Sequence, residues 1–120
     1  MASKPVLLSE IYFEDEVPER ISCDSGRGIE HAIAIKLKRS PADNPMVVHF
    51  SVLQKEYQIV RHMICKCGKG QHAQVIAQMN LDHKGKSLDV LKLQCPDTKE
   101  TWMVYFDVTD VKKYLPHTDK

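Results

Sequence analysis

Val75-Ile76-Ala77-Gln78-Met79-Asn80-Leu81 sets Val75, Ala77, Met79 and Leu81 on one side of an extended chain and runs into Asp82-His83-Lys84-Gly85-Lys86, a polar turn containing glycine. Period-two apolar spacing of this kind marks a half-buried strand, and a glycine-bearing polar break suits a hairpin with a longer loop. The alternation returns as Leu91, Leu93 and Cys95, and after a Cys95-Pro96 turn as Trp102, Val104, Phe106 and Val108. Three consecutive antiparallel strands are therefore expected, with the Trp102 to Val108 set packed on the Val75 to Leu81 set across one core.

Working outward toward the N-terminus, Ile29, His31, Ile33, Ile35 and Leu37 repeat the pattern, opposite Glu30, Lys36 and Lys38. Met46, Val48, Phe50 and Val52 do so again after Pro41-Ala42-Asp43-Asn44-Pro45, which predicts two neighbouring strands. Tyr57 to Cys65 reads as a strand buried on both sides. A short helix over Val52 to Glu56, or one running on through Val60, fits as well, because periodicity alone does not separate them. Thr109-Asp110-Val111-Lys112-Lys113-Tyr114-Leu115-Pro116 has a capping residue, an apolar side and a proline stop, which predicts a terminal helix of about two turns.

Fold class follows: α+β, mainly antiparallel β, with six or seven strands and a short C-terminal helix. A chain of 120 residues is the size of one domain and buries about two-thirds of its unfolded surface. Within a single domain 1–120 the pattern separates an N-terminal β region (29–56), a hairpin region (57–108) and the helix (109–116). The apolar run Val6-Leu7-Leu8 is too short for a secretory signal, and no run reaches the length of a membrane span, so a cytoplasmic protein is expected. A net charge of +1 argues against a nonspecific polyanion binder, which needs many cations on phosphates. Residues 1–22 carry Glu10, Glu14, Asp15, Glu16 and Glu19 against Lys4 and Arg20, a run read as a solvated face. Gly26-Arg27-Gly28 lacks the strand-then-helix setting and the glycine spacing of a phosphate loop.

Chemistry concentrates in two turns, Cys65-Lys66-Cys67-Gly68-Lys69 and Cys95-Pro96-Asp97-Thr98-Lys99. Four cysteines in a cytosolic chain point to thiols or metal ligands rather than a disulfide framework. Over roughly Tyr57 to Val108 the chain resembles the zinc-ribbon family, in which two turns carrying paired cysteines flank a hairpin and converge on one cation. The first turn here is Cys-x-Cys rather than Cys-x-x-Cys, and Thr98 stands where the fourth cysteine would sit. The resemblance implies zinc on Cys65, Cys67 and Cys95, with His72, His62 or Cys23 as a fourth ligand and His72 taken into the expected set. His83, at the far tip of the hairpin, lies more than ~30 Å away by strand rise. Without metal, Cys95 would pack as a small apolar residue in line with Leu91 and Leu93.

Other residues carry less. His31 and His49 alternate within expected strands, and His117 lies in a frayed tail. Cys23-Asp24-Ser25-Gly26 with His31 as base would make a nucleophile loop, but a plain loop fits better, and neither Gly-x-Ser-x-Gly nor His-Glu-x-x-His occurs. Tyr105 and Tyr12 are placed outward beside lysines, where they could stack on bases. The sequence therefore leads to a non-enzymatic binding module with a degenerate ribbon site and a protein partner. Its competitors are a small thiol-redox or metal-dependent enzyme built on Cys65 and Cys67, since neighbouring lysines favour thiolate, and a weak nucleic-acid-binding ribbon.

Overall fold

A computed structural model describes residues 4–38, 45–64 and 72–112. The Pro41 to Asn44 turn, the Cys65-Lys66-Cys67-Gly68 turn and the end of the terminal helix at Tyr114 to Pro116 lie outside the described residues. Seven strands occur among those described: β1 (Glu10–Tyr12), β2 (Ile21–Ser22), β3 (Ile33–Lys36), β4 (Met63–Ile64), β5 (Gln74–His83), β6 (Lys86–Gln94) and β7 (Thr101–Asp107). A 3-10 turn covers Ile29–His31, and two helices, α1 (Pro45–Arg61) and α2 (Thr109–Lys112), complete the order.

The main sheet runs β1-β3-β7-β6-β5, and β2 pairs with β4 in a separate two-stranded ribbon. Its β5-β6-β7 half is the antiparallel meander expected from sequence. The other half is parallel, β1 on β3 and β3 on β7, so the sheet is mixed. The hairpin between β5 and β6 is tighter than expected. Pairing continues to His83 and Lys86, leaving Lys84 (φ 48°) and Gly85 (φ 82°) as a two-residue turn. Two positive φ values in succession match the right-handed twist of the flanking strands.

Two sequence expectations are corrected in the N-terminal half. Met46 to Val52 is not a strand beside residues 29–37, and Tyr57 to Cys65 is not a strand buried on both sides; the chain is helical from Pro45 to Arg61, with only Met63–Ile64 extended after it. Burial explains the difference. Val48, Val52, Lys55, Glu56, Ile59 and Val60 are buried at helical spacing, whereas Phe50, a core position in a strand reading, is 58% exposed. Proline at the first helical residue costs no hydrogen bond, because that N–H has no intrahelical partner. Ile29 and His31 likewise belong to the 3-10 turn, and the strand begins at Ile33, where Ile33 and Ile35 are buried in alternation.

Helix α1 lies over one face of the sheet. Val48, Val52, Ile59 and Val60 pack in one cluster with Ile11, Ile33, Ile35, Leu91, Leu93, Val104 and Phe106. Opposed residues share a face: Phe106 stands between Ile33 and Asp89, and Trp102 is opposite Leu93. The turn before β3 is held against β7 by the Tyr105 N–H, which donates to Gly26 O at 2.7 Å. Gly26 has φ +67°, and a Cβ there would sit 2.9 Å from Val104 Cγ1, so only glycine fits this contact.

The third correction concerns β5. Val104, Phe106 and Val108 are buried and Trp102 half-buried, but Ala77, Met79 and Leu81 do not face them. A bulge between Val75 and Ala77 shifts the register by one residue. Before it Val75 opposes Leu93; after it Ala77 opposes Lys92 and Met79 opposes Val90. A one-residue slip moves every later side chain to the other face. Gln78 and Asn80 consequently take the core-side positions, level with Leu91 and Asp89, while Met79 (46% exposed) and Leu81 (38%) stand on the opposite face.

At the C-terminal end, Thr109 starts α2 as expected. Its N–H and hydroxyl both bond Asp107 Oδ1, and its Oγ1 accepts the Ser87 N–H at 2.9 Å. The acidic N-terminal run is solvent-facing and locally paired: Glu10 with Lys36 and Asp15 with Lys38, each at 2.9 Å. Lys55, buried on α1, donates to Asp15 O, and burial lowers its pKa against the pull of Asp15, Glu14 and Glu16.

Candidate functional site

The cysteine end is built by the β6-β7 connection. Cys95 follows the last residue of β6 and is fully buried. Its N–H donates to Glu100 O and its carbonyl accepts from Lys99 N, both at 2.9 Å, closing a turn in which Lys99 takes φ 66°. The Thr98 N–H points at Cys95 Sγ, 3.4 Å away. An amide directed at sulfur is what the expected turn should supply, and here Thr98 is the donor.

Cys65 and Cys67 lie outside the described residues. Ile64, which precedes them, bridges His72, and Gln74 pairs with Gln94, so the chain on either side of that segment returns to the Cys95 end of the hairpin. His72 is exposed and its Nδ1 faces Met63 O at 3.3 Å, which leaves Nε2 as the nitrogen available to a ligand. Cys23 is buried; Arg27 Nε donates to its carbonyl at 2.7 Å, and the Arg27 guanidinium lies 5.2 Å over the Trp102 ring. His62 Nδ1 instead faces Glu19 O at 3.0 Å. Among the described residues, no group of three or more His, Cys, Asp or Glu side chains is arranged to hold a metal ion.

Two lesser candidates are occupied by structural contacts. Ser25 and His31 line a common hollow of about 450 Å³, but Ser25 is buried with Oγ accepting the Leu8 N–H at 2.9 Å. Tyr12 is exposed as expected, and Lys38 Nζ lies 5.4 Å over its ring.

A polar cluster absent from the sequence reading sits between α1 and the meander. Glu56 is fully buried, and among the described residues no N–H or O–H reaches either of its carboxylate oxygens. Its neighbour is the Asp89 carboxyl, itself held by Asn80 Nδ2. Two acceptors can bond only through a shared proton. Burial first, and Asp89 second, push the Glu56 pKa up to about 11, so Glu56 is a neutral carboxylic acid at physiological pH. One turn of α1 would have revealed it: once the helix is recognised, position 56 falls on the arc of Val48, Val52 and Ile59.

The most exposed ordered element is β5. It forms one end of the sheet, and among the described residues no strand pairs with its outer edge. Its ten residues, Gln74 to His83, are almost all exposed, with Ile76 47%, Met79 46% and Leu81 38% accessible. They include one formal charge, Asp82, and no Lys, Arg or Pro. Alongside runs a groove of about 540 Å³ lined by Phe50, Leu53, Gln54, Tyr57 and Arg61 of α1, and the Tyr57 hydroxyl bonds Gln78 Oε1 across to β5.

No helix among the described residues is long and apolar enough to cross a membrane. No protein-family model, curated protein or solved structure matches the chain.

Proposed function

We propose that this protein is a non-enzymatic protein-binding module that takes an extended segment of its partner along the outer edge of β5. The observation that carries this reading is the edge itself. Sheet ends are ordinarily made unreceptive by short length, lysines, prolines or inward charges. β5 has ten residues, a single carboxylate and three large exposed apolar side chains; its one protective feature is the bulge near its start. An added strand takes affinity from main-chain hydrogen bonds and selectivity from alternate side-chain positions. Here the α1 groove supplies apolar contacts on one face, and Met79 and Leu81 supply them on the other.

The test is selection of extended peptides from a random library on the wild-type protein, followed by titration against Ile76→Lys/Leu81→Lys. Both positions are solvent-exposed, so the variant should keep its fold. Selected peptides should lose about tenfold or more in affinity to it, roughly 1.4 kcal/mol, and should perturb the amide resonances of residues 74–83. Peptides that bind both proteins equally, or that perturb a different surface, refute the edge as the binding site.

The Thr98 N–H on Cys95 Sγ favours a second, compatible reading, a structural zinc site of Cys65, Cys67 and Cys95 with His72 as fourth ligand. Three thiolates and an imidazole suit tetrahedral zinc, which would tie the ends of the hairpin together. Protein purified without chelator should then carry stoichiometric zinc, melt at lower temperature after its removal, and lose the metal in Cys67→Ser. Thr98→Cys should bind zinc more tightly. Metal-free protein whose melting ignores added zinc eliminates this reading.

A further inference from the structure

We infer that the segment received by β5 is the β5 of a second copy, paired antiparallel about a two-fold axis through Met79. The inference rests on the reading of β5 as a binding edge and adds the identity of the occupant.

Self-complementarity is the argument. An isologous contact must present the same patch twice, with every residue acceptable to its symmetry mate. When a two-fold axis passes through Met79 perpendicular to the sheet, both faces of the sheet continue across the join. Met79 then meets the partner's Met79, and Ala77 meets the partner's Leu81. These residues share the face that carries the buried Val90 and Leu88 on β6, so the junction extends an apolar row across the join. On the helix side Gln78 meets the partner's Asn80. Tyr57 occupies Gln78 Oε1 and Asp89 occupies Asn80 Nδ2, which leaves Gln78 Nε2 to donate to the partner's Asn80 Oδ1.

Charge agrees with this register. Asp82 is the one formally charged residue of β5. Antiparallel pairing about Met79 sends the two Asp82 side chains to opposite ends of the junction, each opposite the partner's Ile76 beside the bulge and neither facing the other. A strand rich in lysine would repel its own copy, since like charges directly opposite are destabilising; β5 contains none. A two-fold through Gln78 instead would place Gln74 opposite the partner's Asp82, Ala77 opposite the partner's Met79 and Leu81 opposite the partner's Val75; Val75 lies before the bulge on the core-side face with Leu93, so the exposed Leu81 meets no apolar residue on its own face. The Met79 axis buries Met79 and Leu81 together and makes one continuous sheet of the two main sheets.

The experiment is sedimentation of the full chain over a wide concentration range, with site-directed crosslinking. Wild type should associate reversibly to a dimer. Met79→Lys sets two ammonium groups face to face at the axis and should weaken association about tenfold or more; circular dichroism will verify that this exposed position has not unfolded the chain. Under oxidation Met79→Cys should give a disulfide-linked dimer above the wild-type background. Gln78→Cys should not link to itself but should link to Asn80→Cys when the two are mixed. A dimer that persists undiminished in Met79→Lys, or crosslinks in a different register, overturns the inference. A wild type that stays monomeric throughout also overturns it: if library peptides still bind the β5 edge, the binding-edge reading stands with a different occupant, and if they do not, both fall.

Discussion

Phe106→Ala should leave the protein unfolded or nearly so at room temperature, whereas Tyr105→Ala should remain cooperatively folded. Phe106 is completely buried on β7, flanked by Ile33 on one side and Asp89 on the other, in the cluster that α1 closes. Truncating such a side chain removes its transfer free energy and leaves a cavity, about 3–5 kcal/mol together, against a typical total stability of about 5–15 kcal/mol. Tyr105 points to the other face, is partly exposed, and lies opposite Val90. Urea denaturation of the two variants reads the difference directly. Small and equal losses would mean that β7 is not the strand on which both halves of the sheet are built.

The second large effect is on pH dependence. Glu56 has its pKa raised from the ordinary carboxyl value to about 11, so in the folded protein it keeps a proton that the unfolded chain has released. The stability associated with that proton is complete below the ordinary carboxyl pKa. It then declines as pH rises, by up to about 1.4 kcal/mol per pH unit, until the folded-state pKa is passed. Wild type should therefore be clearly less stable at pH 8 than at pH 5. Glu56→Gln offers Asp89 an amide donor that does not titrate; it should flatten this dependence, so that its advantage over wild type grows steadily with pH, by up to about 1.4 kcal/mol per unit, and is larger at pH 8 than at pH 5 by several kcal/mol. Urea midpoints at the two pH values decide it. Equal slopes in the two proteins would show that Glu56 is ionised and solvated in the folded state.

How much of this was legible in the sequence depends on which force left a periodic trace. β6 and β7 were found because Leu91, Leu93, Val104 and Phe106 have one core side and a partner strand on each flank. Met46, Val48, Phe50 and Val52 satisfy period two by chance; Val48 and Val52 are also one helical turn apart, and the exposure of Phe50 with the burial of Glu56, Ile59 and Val60 separates the two readings. The bulge in β5 changes no residue type, so the turning of Met79 and Leu81 away from the core left no mark. The parallel pairing of β1 with β3 left no trace, because β1, at three residues, is too short to carry a pattern. At the cysteine end, Pro96 and the residues around it did announce the Cys95 turn. The carboxyl pair had no such signal, because a glutamate at the end of an undecided short helix, Val52 to Glu56, has no assigned neighbour.

The position of β3 between β1 and β7 has a consequence for how the chain acquires its fold. The meander pairs segments that are adjacent in sequence and can close quickly, since short loops cost little entropy. β3, by contrast, finds its second neighbour only in β7, at the pairs Ile33 with Phe106 and Ala34 with Asp107. On the ribosome, where the N-terminal part emerges first, Ile33 and Ile35 wait without that neighbour until almost all of the described chain has been made. Completion of the sheet is therefore a late, long-range docking of the oldest segment onto the newest, and the interval before it is when this protein most needs protection from aggregation.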